Sequence, residues 1–305
     1  MQKLVFFIVA VLLLVSFCHD ANGFSGSTPT IPRVAFQNLQ ENEFRHPLDR
    51  DLTKLILATP GNKLADQVFR RAFPLLEQGA RLDLLSSSVK VSAEQLPHLH
   101  ESMVEACRVL DISSPPELFV QSNPQANAYT TASSKGEKAV IVITSALLDR
   151  CSDREMQAII GHELGHMKCN HSFYLTVGGL ASAPLRLLPF AGDSLADSLL
   201  EKWRLAAEYT CDRAAVLVAQ DSEIVASAML KLFAGTGKYG MNVEAFVAQS
   251  EEYDRLLRNS NPMVRASIEN QQRTHPLPVR RIAELKRWSE SEEYTKLLKN
   301  GVMIS

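Results

Sequence analysis

Apolar residues recur three and four positions apart in KLADQVFRRAFPLLEQ (63–78) and SAEQLPHLHESMVEACRVL (92–110), the spacing of one buried helix face. Pro115-Pro116 ends that regime. ELFVQS (117–122) and AVIVIT (139–144) are short, β-branched or aromatic runs, which predict two strands. NAYTTASSKGEK (127–138) lies between them with a Ser-Ser-Lys-Gly turn near its end, so the pattern predicts a small antiparallel sheet over 117–144. From Ser145 the chain is helical again, interrupted by Gly/Pro-rich stretches near 178–192 and 235–241. No internal repeat is visible. The pattern predicts an α+β, mostly helical domain over 46–290, with 291–305 as a C-terminal tail.

Two apolar runs do not fit a buried helix face. The first runs unbroken from Leu4 to Val15, behind Lys3, with small residues Ala21 and Gly23 placed for a cut before Phe24. That is signal-peptide anatomy over 1–23, and the run is short of the roughly 20 residues an uncleaved span needs. The second, Phe173 to Leu200, is interrupted by Pro184, Arg186, Pro189 and Asp193, so it makes a poor span. It reads either as core plus loop or as a segment lying on a lipid surface.

Composition changes the picture only at the N-terminus. Residues 21–40 hold no Asp or Glu but do hold Ser25, Ser27, Thr28, Thr30 and Arg33. The composition is that of a transit peptide, placed over 24–45 as a transit or linker segment. A signal peptide joined to such a segment resembles the two-part plastid presequence of algae with secondary plastids. Secretion, or an endomembrane lumen, is the alternative. Beyond Cys18, four cysteines are scattered without close pairing, which suits small buried residues better than a disulfide framework. The one N-glycosylation acceptor, Asn170-His171-Ser172, would set a glycan beside the chemistry described next. With 32 basic and 34 acidic residues, the net charge of −2 gives no reason to expect nucleic acid as a partner.

The chemistry lies in IIGHELGHMKCNH (159–171). Ser152 and Glu155 form a capping-box pattern ahead of it, so a helix starts there and runs through His166. His162 and His166 then sit about 40° apart round the axis and project from one face. Glu163 is roughly 100° away from His162, within reach of an ion the pair would hold. This is H-E-x-x-H, in which two histidines hold zinc and the glutamate is general base. The apolar flanks Ile159, Ile160 and Leu164 bury the helix, and unpaired buried His and Glu are costly. Gly161 and Gly165 would leave room beside the metal. His171 is off-register for a third ligand and reads as a helix-end histidine near the negative end of the dipole.

The best third ligand is Glu208, in WRLAAEYTCDRAAVLVAQ (203–220). Glu208 and Asp212 share a face four residues apart on an apolar helix, and two buried carboxylates need a cation nearby. Glu208 would be the ligand, and Asp212 would accept the free N–H of a ligand histidine. The alternative is that they pair with Arg204 or Arg213 on a solvated face.

HELGH followed by AE-Y-T-C-D-R-A resembles the HtpX-like gluzincin metallopeptidases, the group of the CaaX prenyl endoprotease (family M-forty-eight). NAYT (127–130), THPLPVRRIAEL (274–285) and VAQD (218–221) extend the resemblance over about residues 45–290. FRHPLD (44–49) together with HPLPV makes the plant plastoglobule metallopeptidase subgroup the best match. The resemblance implies a zincin-type domain whose small sheet lines the cleft, with Asn127, Ala128 and Tyr129 on the strand that pairs with substrate. It also places His275 and Arg281 near the active site, where they could stabilise an oxyanion; otherwise they are a loop histidine and a surface arginine. The function expected is a zinc-dependent metalloendopeptidase with one Zn2+ per subunit, acting on protein or peptide in quality control or turnover at a lipid surface. A zinc-bound chaperone or scaffold that rarely cleaves is the alternative, which the presence of Glu163 disfavours.

Overall fold

The structure, a computed structural model, describes residues 33–58, 74, 77–131, 138–174, 193–269 and 277–304. The leader, most of the apolar segment 173–200, and His275 lie outside the described residues.

The domain is mostly helical with two small sheets, as the periodicity predicts. A buried helix, α4 (Asp153–Lys168), packs along a longer one, α5 (Asp193–Ala219), and these two make the most extensive contact in the fold. Around them lie α1 (Pro47–Ala58), α2 (Pro97–Val109), α6 (Ser222–Ala234), α7 (Val243–Asn259) and α9 (Pro278–Ser289). The short helices α3 (Ser145–Leu148), α8 (Pro262–Glu269) and α10 (Glu292–Asn300) also lie among the described residues. Among the described residues no helix is long and apolar enough to cross a membrane.

The two central helices approach closely because Gly161 and Gly165 face α5. A Cβ on Gly161 would lie 2.8 Å from the Val218 side chain, and one on Gly165 would lie 2.8 Å from Ala214 Cβ. The expectation that these glycines leave room beside a metal is therefore corrected. They leave room for a neighbouring helix, and so bring the histidines of α4 within reach of the carboxylates of α5.

The main sheet has the order β2-β3-β5-β4, with β2 Ser88–Lys90, β3 Glu117–Gln121, β4 Ala128–Thr130 and β5 Val140–Thr144. Both strands read from the sequence are present, but the sheet is mixed. β3 pairs with β5 in parallel, and β4 pairs with β5 antiparallel at the sheet's edge. The expected purely antiparallel sheet fails because the chain reverses twice between β3 and β5, and β4 lands outside β5 instead of between the two.

The ends of the described chain also belong to the fold. β1 (Arg33–Ala35) pairs antiparallel with β6 (Val302–Ile304), Phe36 and Leu39 are buried, and Phe44 is fully buried. Residues 33–45, expected as linker, and 291–304, expected as tail, are thus structural. Acid-poor composition does not register that its few apolar residues are anchored. Cys107, Cys151, Cys169 and Cys211 form no disulfide, and all but Cys151 are buried.

Candidate active site

The helix α4 starts where the capping box predicts. Ser152 accepts the backbone N–H of Glu155, and the Glu155 carboxylate accepts the N–H of Ser152 at 2.7 Å. Lys231 and Ser227, both on α6, donate to the same carboxylate at 2.6 Å each, so the helix start is pinned from two sides. From there the 3.6-residue period carries His162 and His166 to the face that meets α5.

The orientation of each imidazole is set by what its Nδ1 touches. His162 donates Nδ1–H to Asp212 Oδ1 at 3.0 Å. His166 Nδ1 lies 3.2 Å from Nδ1 of His171. Both Nε2 atoms are left to face Glu208: His162 Nε2 is 3.7 Å from Oε2, and His166 Nε2 is 3.5 Å from Oε1. A tetrahedral ion with bonds of about 2.1 Å separates its donors by roughly 3.4 Å, so the two separations suit one ion held by the three side chains.

A second donor set is close by. It is His162, His166 and Cys211, whose ligand atoms all lie within 4.8 Å of one another. Cys211 Sγ, however, lies 3.5 Å from His171 Nδ1, on the side of His166 whose nitrogen is already engaged. Burial also pushes its thiol well above the usual range, which keeps it a neutral S–H. Glu208 is buried as well, but Arg281 Nη1 lies 3.2 Å from its Oε2 and supports its charge.

Asp212 and Glu208 share a further partner, Arg281. Its Nε and Nη2 reach Asp212 at 2.9 and 2.5 Å, and its Nη1 reaches Glu208 Oε2 at 3.2 Å. Burial works against a charged Asp212, but the guanidinium outweighs it and holds the carboxyl below its usual range. Arg281 was expected either to stabilise an oxyanion or to lie on the surface. It is 5% exposed, and its donors are directed at two carboxylates of α5, because Val279, Ile282 and Leu285 bury the same helix face. Asp212 is paired with Arg281 and His162, not with Arg213. Arg204 bonds Glu201, and Arg213 reaches Glu284 and Glu293.

Glu163 is buried, and its carboxylate accepts from Thr130 Oγ1 at 2.6 Å. Thr130 is the last residue of β4, so the strand edge and the base of H-E-x-x-H touch. Asn127 O accepts the N–H of Thr144 at 3.0 Å while its own N–H donates to Thr144 Oγ1 at 2.8 Å, and the N–H of Thr131 donates to Val140 O at 2.9 Å. By alternation, the N–H and C=O groups of Ala128 and Thr130 point away from β5, and those of Tyr129 point toward it.

His171 is not the helix-end histidine expected on α4. The helix stops at Lys168, Asn170 adopts φ of +54°, and the chain turns His171 back beneath His166. It is 3% exposed and bonds Asp49 Oδ2 through Nε2 at 3.0 Å. Sequence reasoning assigned no role to Asp49 or Thr130. Both stood inside matched motifs, FRHPLD and NAYT, but no local pattern says what they face.

Comparison with known proteins agrees with this geometry. The model of Peptidase family M48 matches residues 93–289. The Plastoglobule-localized metallopeptidase 48, chloroplastic, of Arabidopsis thaliana is 38% identical over 277 residues, covering 89% of this chain and 79% of that one. A Protease HtpX homolog 2 of Methanosarcina acetivorans is 33% identical over 92 residues, 30% of this chain and 31% of that one. Among solved structures, S. mikatae Ste24p gives a TM-score of 0.38 at 16% identity, covering 78% of this chain and 63% of that chain. A family pattern spanning both central helices, and a relative similar across most of the length, establish that the chain is a metallopeptidase belonging to peptidase family M48.

Proposed function

We propose that the protein is a zinc endopeptidase in which His162, His166 and Glu208 hold one Zn2+. The observation that carries this is the meeting of two imidazole Nε2 atoms and one carboxylate at 3.5–3.7 Å, with Glu163 one residue along the helix. Bound there, zinc would polarise a scissile carbonyl and make a water more acidic. Glu163 takes the proton from the attacking water and passes it to the leaving amine. Thr130 holds the Glu163 carboxylate in place between these transfers. Asp212 keeps His162 protonated at Nδ1, and Arg281 holds Asp212 and Glu208 in register, a positioning role in place of the oxyanion one. His275, which closely precedes α9, keeps the proposed role of donor to the developing oxyanion.

The substrate proposed is an extended peptide. Ala128 offers outward backbone groups at a sheet edge, beside Thr130, whose C=O accepts from Ser172 Oγ at 3.3 Å; main-chain pairing at such an edge recognises any sequence. Asn127 serves by fastening that edge to β5, and Tyr129 by pairing with Val142. Broad recognition of this kind suits turnover of unfolded or damaged proteins. Treating the purified protein with a zinc chelator should abolish casein cleavage, and added Zn2+ should restore it. Cleavage that survives complete chelation would refute the zinc mechanism.

We place the enzyme in a plastid, at a lipid surface. The Arabidopsis relative is named for plastoglobules, and the leader reads as a signal peptide followed by an acid-free Ser/Thr stretch. The pairing of β1, which starts at Arg33, with β6 supports a removed leader shorter than the 45 residues expected. Fused to a fluorescent protein in an alga with secondary plastids, residues 1–32 should direct it to the plastid. Export to the medium, or a glycan on Asn170 of the mature chain, would contradict this address.

A further inference from the structure

The two histidines of H-E-x-x-H are oriented by different devices. His162 leans directly on a carboxylate, Asp212. Among the described residues the partner at His166 Nδ1 is a third histidine. Behind that histidine stands Asp49, which is fully buried and lies on α1, outside the two helices that supply the proposed ligands.

We propose that His171 and Asp49 are positioning residues that fix the tautomer of His166, through the chain Asp49–His171–His166. The inference rests on the zinc reading above. Asp49 accepts from Thr210 Oγ1 at 2.7 Å, from Thr53 Oγ1 at 3.0 Å and from His171 Nε2 at 3.0 Å. Burial alone would raise its pKa, but the hydrogen bond from His171 and the neighbouring charges hold it at about 2, so it is an acceptor at every working pH. An ionised carboxylate can only accept, so His171 carries its proton on Nε2. A neutral imidazole carries a single ring proton, and the contact with Asp49 holds that proton on Nε2. His171 Nδ1 is then a bare lone pair facing His166 Nδ1 at 3.2 Å. His166 must answer with an N–H there, and its own lone pair is thereby placed on Nε2, toward Glu208 and the proposed ion.

The packing holds this order rigidly. The rings of His166 and His171 meet edge to face at 5.2 Å, and Trp203 closes the far side of His171 at 5.7 Å. Trp203 Nε1 donates to Thr53 Oγ1, the hydroxyl that bonds Asp49. Cys211 Sγ also lies near His171 Nδ1, at 3.5 Å, but a thiol is a weaker donor than an imidazole N–H. The result is the metal-supporting arrangement found for His162, lengthened by one imidazole. Outer partners of metal-bound histidines are typically worth 10–100-fold in metal affinity.

The test is zinc affinity, measured by competition with a chromogenic chelator on the full-length protein, beside thermal unfolding of the zinc-free form. His171→Phe keeps the ring contacts and removes the acceptor; about 10–100-fold weaker zinc binding is expected, with the zinc-free fold retained. Asp49→Asn should weaken binding about tenfold in the wild-type background and no further in the His171→Phe background, because the two act in series. Nitrogen NMR of the zinc-loaded wild type should show His171 protonated at Nε2, a readout that needs no variant to fold. A wild-type protein that binds zinc while His171→Phe binds it equally well, or a His171 protonated at Nδ1, would overturn the relay alone. Additive losses from the two substitutions would do the same. A wild-type protein that binds no zinc would instead overturn the metal reading on which the relay rests.

Discussion

Glu163→Gln is expected to lose about 10²–10⁴-fold in peptidase turnover while keeping its zinc. The substitution changes one oxygen to an amide nitrogen. The side chain keeps its length, and the remaining carbonyl oxygen can still accept from Thr130 Oγ1, which lies 2.6 Å from Glu163 Oε2. What disappears is a group that can take a proton from water and give it to an amine. Fragment release from casein, beside zinc content by atomic spectroscopy, measures both halves. Cleavage within threefold of the wild type would remove Glu163 from the role of base. Loss of zinc together with activity would mean that it holds the ion instead.

What could be read from the sequence divides by distance along the chain. The capping box of Ser152 and Glu155, the shared face of His162 and His166, and the four-residue step from Glu208 to Asp212 are local, and helical periodicity carries each of them. The runs 117–122 and 139–144 are local too, and both are strands. Their parallel pairing is not local, because it depends on where the intervening β4 is laid down. Extrapolating α4 past its last turn makes His171 a helix-end residue; the helix ends at Lys168 and the left-handed Asn170 redirects the chain before His171. Asp49 and His171 are 122 residues apart, and no periodicity links them. The glycines were misread for a related reason. Gly161 and Gly165 mark a close approach, but what approaches is α5, which only the packed structure identifies.

Replacing Glu208 by Gln should weaken zinc binding by more than about 100-fold, beyond the usual loss for outer partners of a metal site. The amide keeps the shape but removes the negative charge between two imidazole Nε2 atoms and Arg281 Nη1. Arg281 retains Asp212, so the zinc-free fold is expected to survive. Any ion that binds only the folded chain stabilises it by mass action, and a hundredfold loss at fixed zinc removes about 2.7 kcal/mol of that gain. The rise in unfolding temperature on adding zinc should therefore shrink sharply in Glu208→Gln. The rival donor is tested beside it. Cys211→Ala should leave zinc affinity within threefold of the wild type, since a fully buried thiol would have to lose its proton to compete with a carboxylate. The opposite pair of results, zinc retained by Glu208→Gln and lost by Cys211→Ala, would move the third ligand one helical turn along α5 and leave Glu208 as a partner of Arg281.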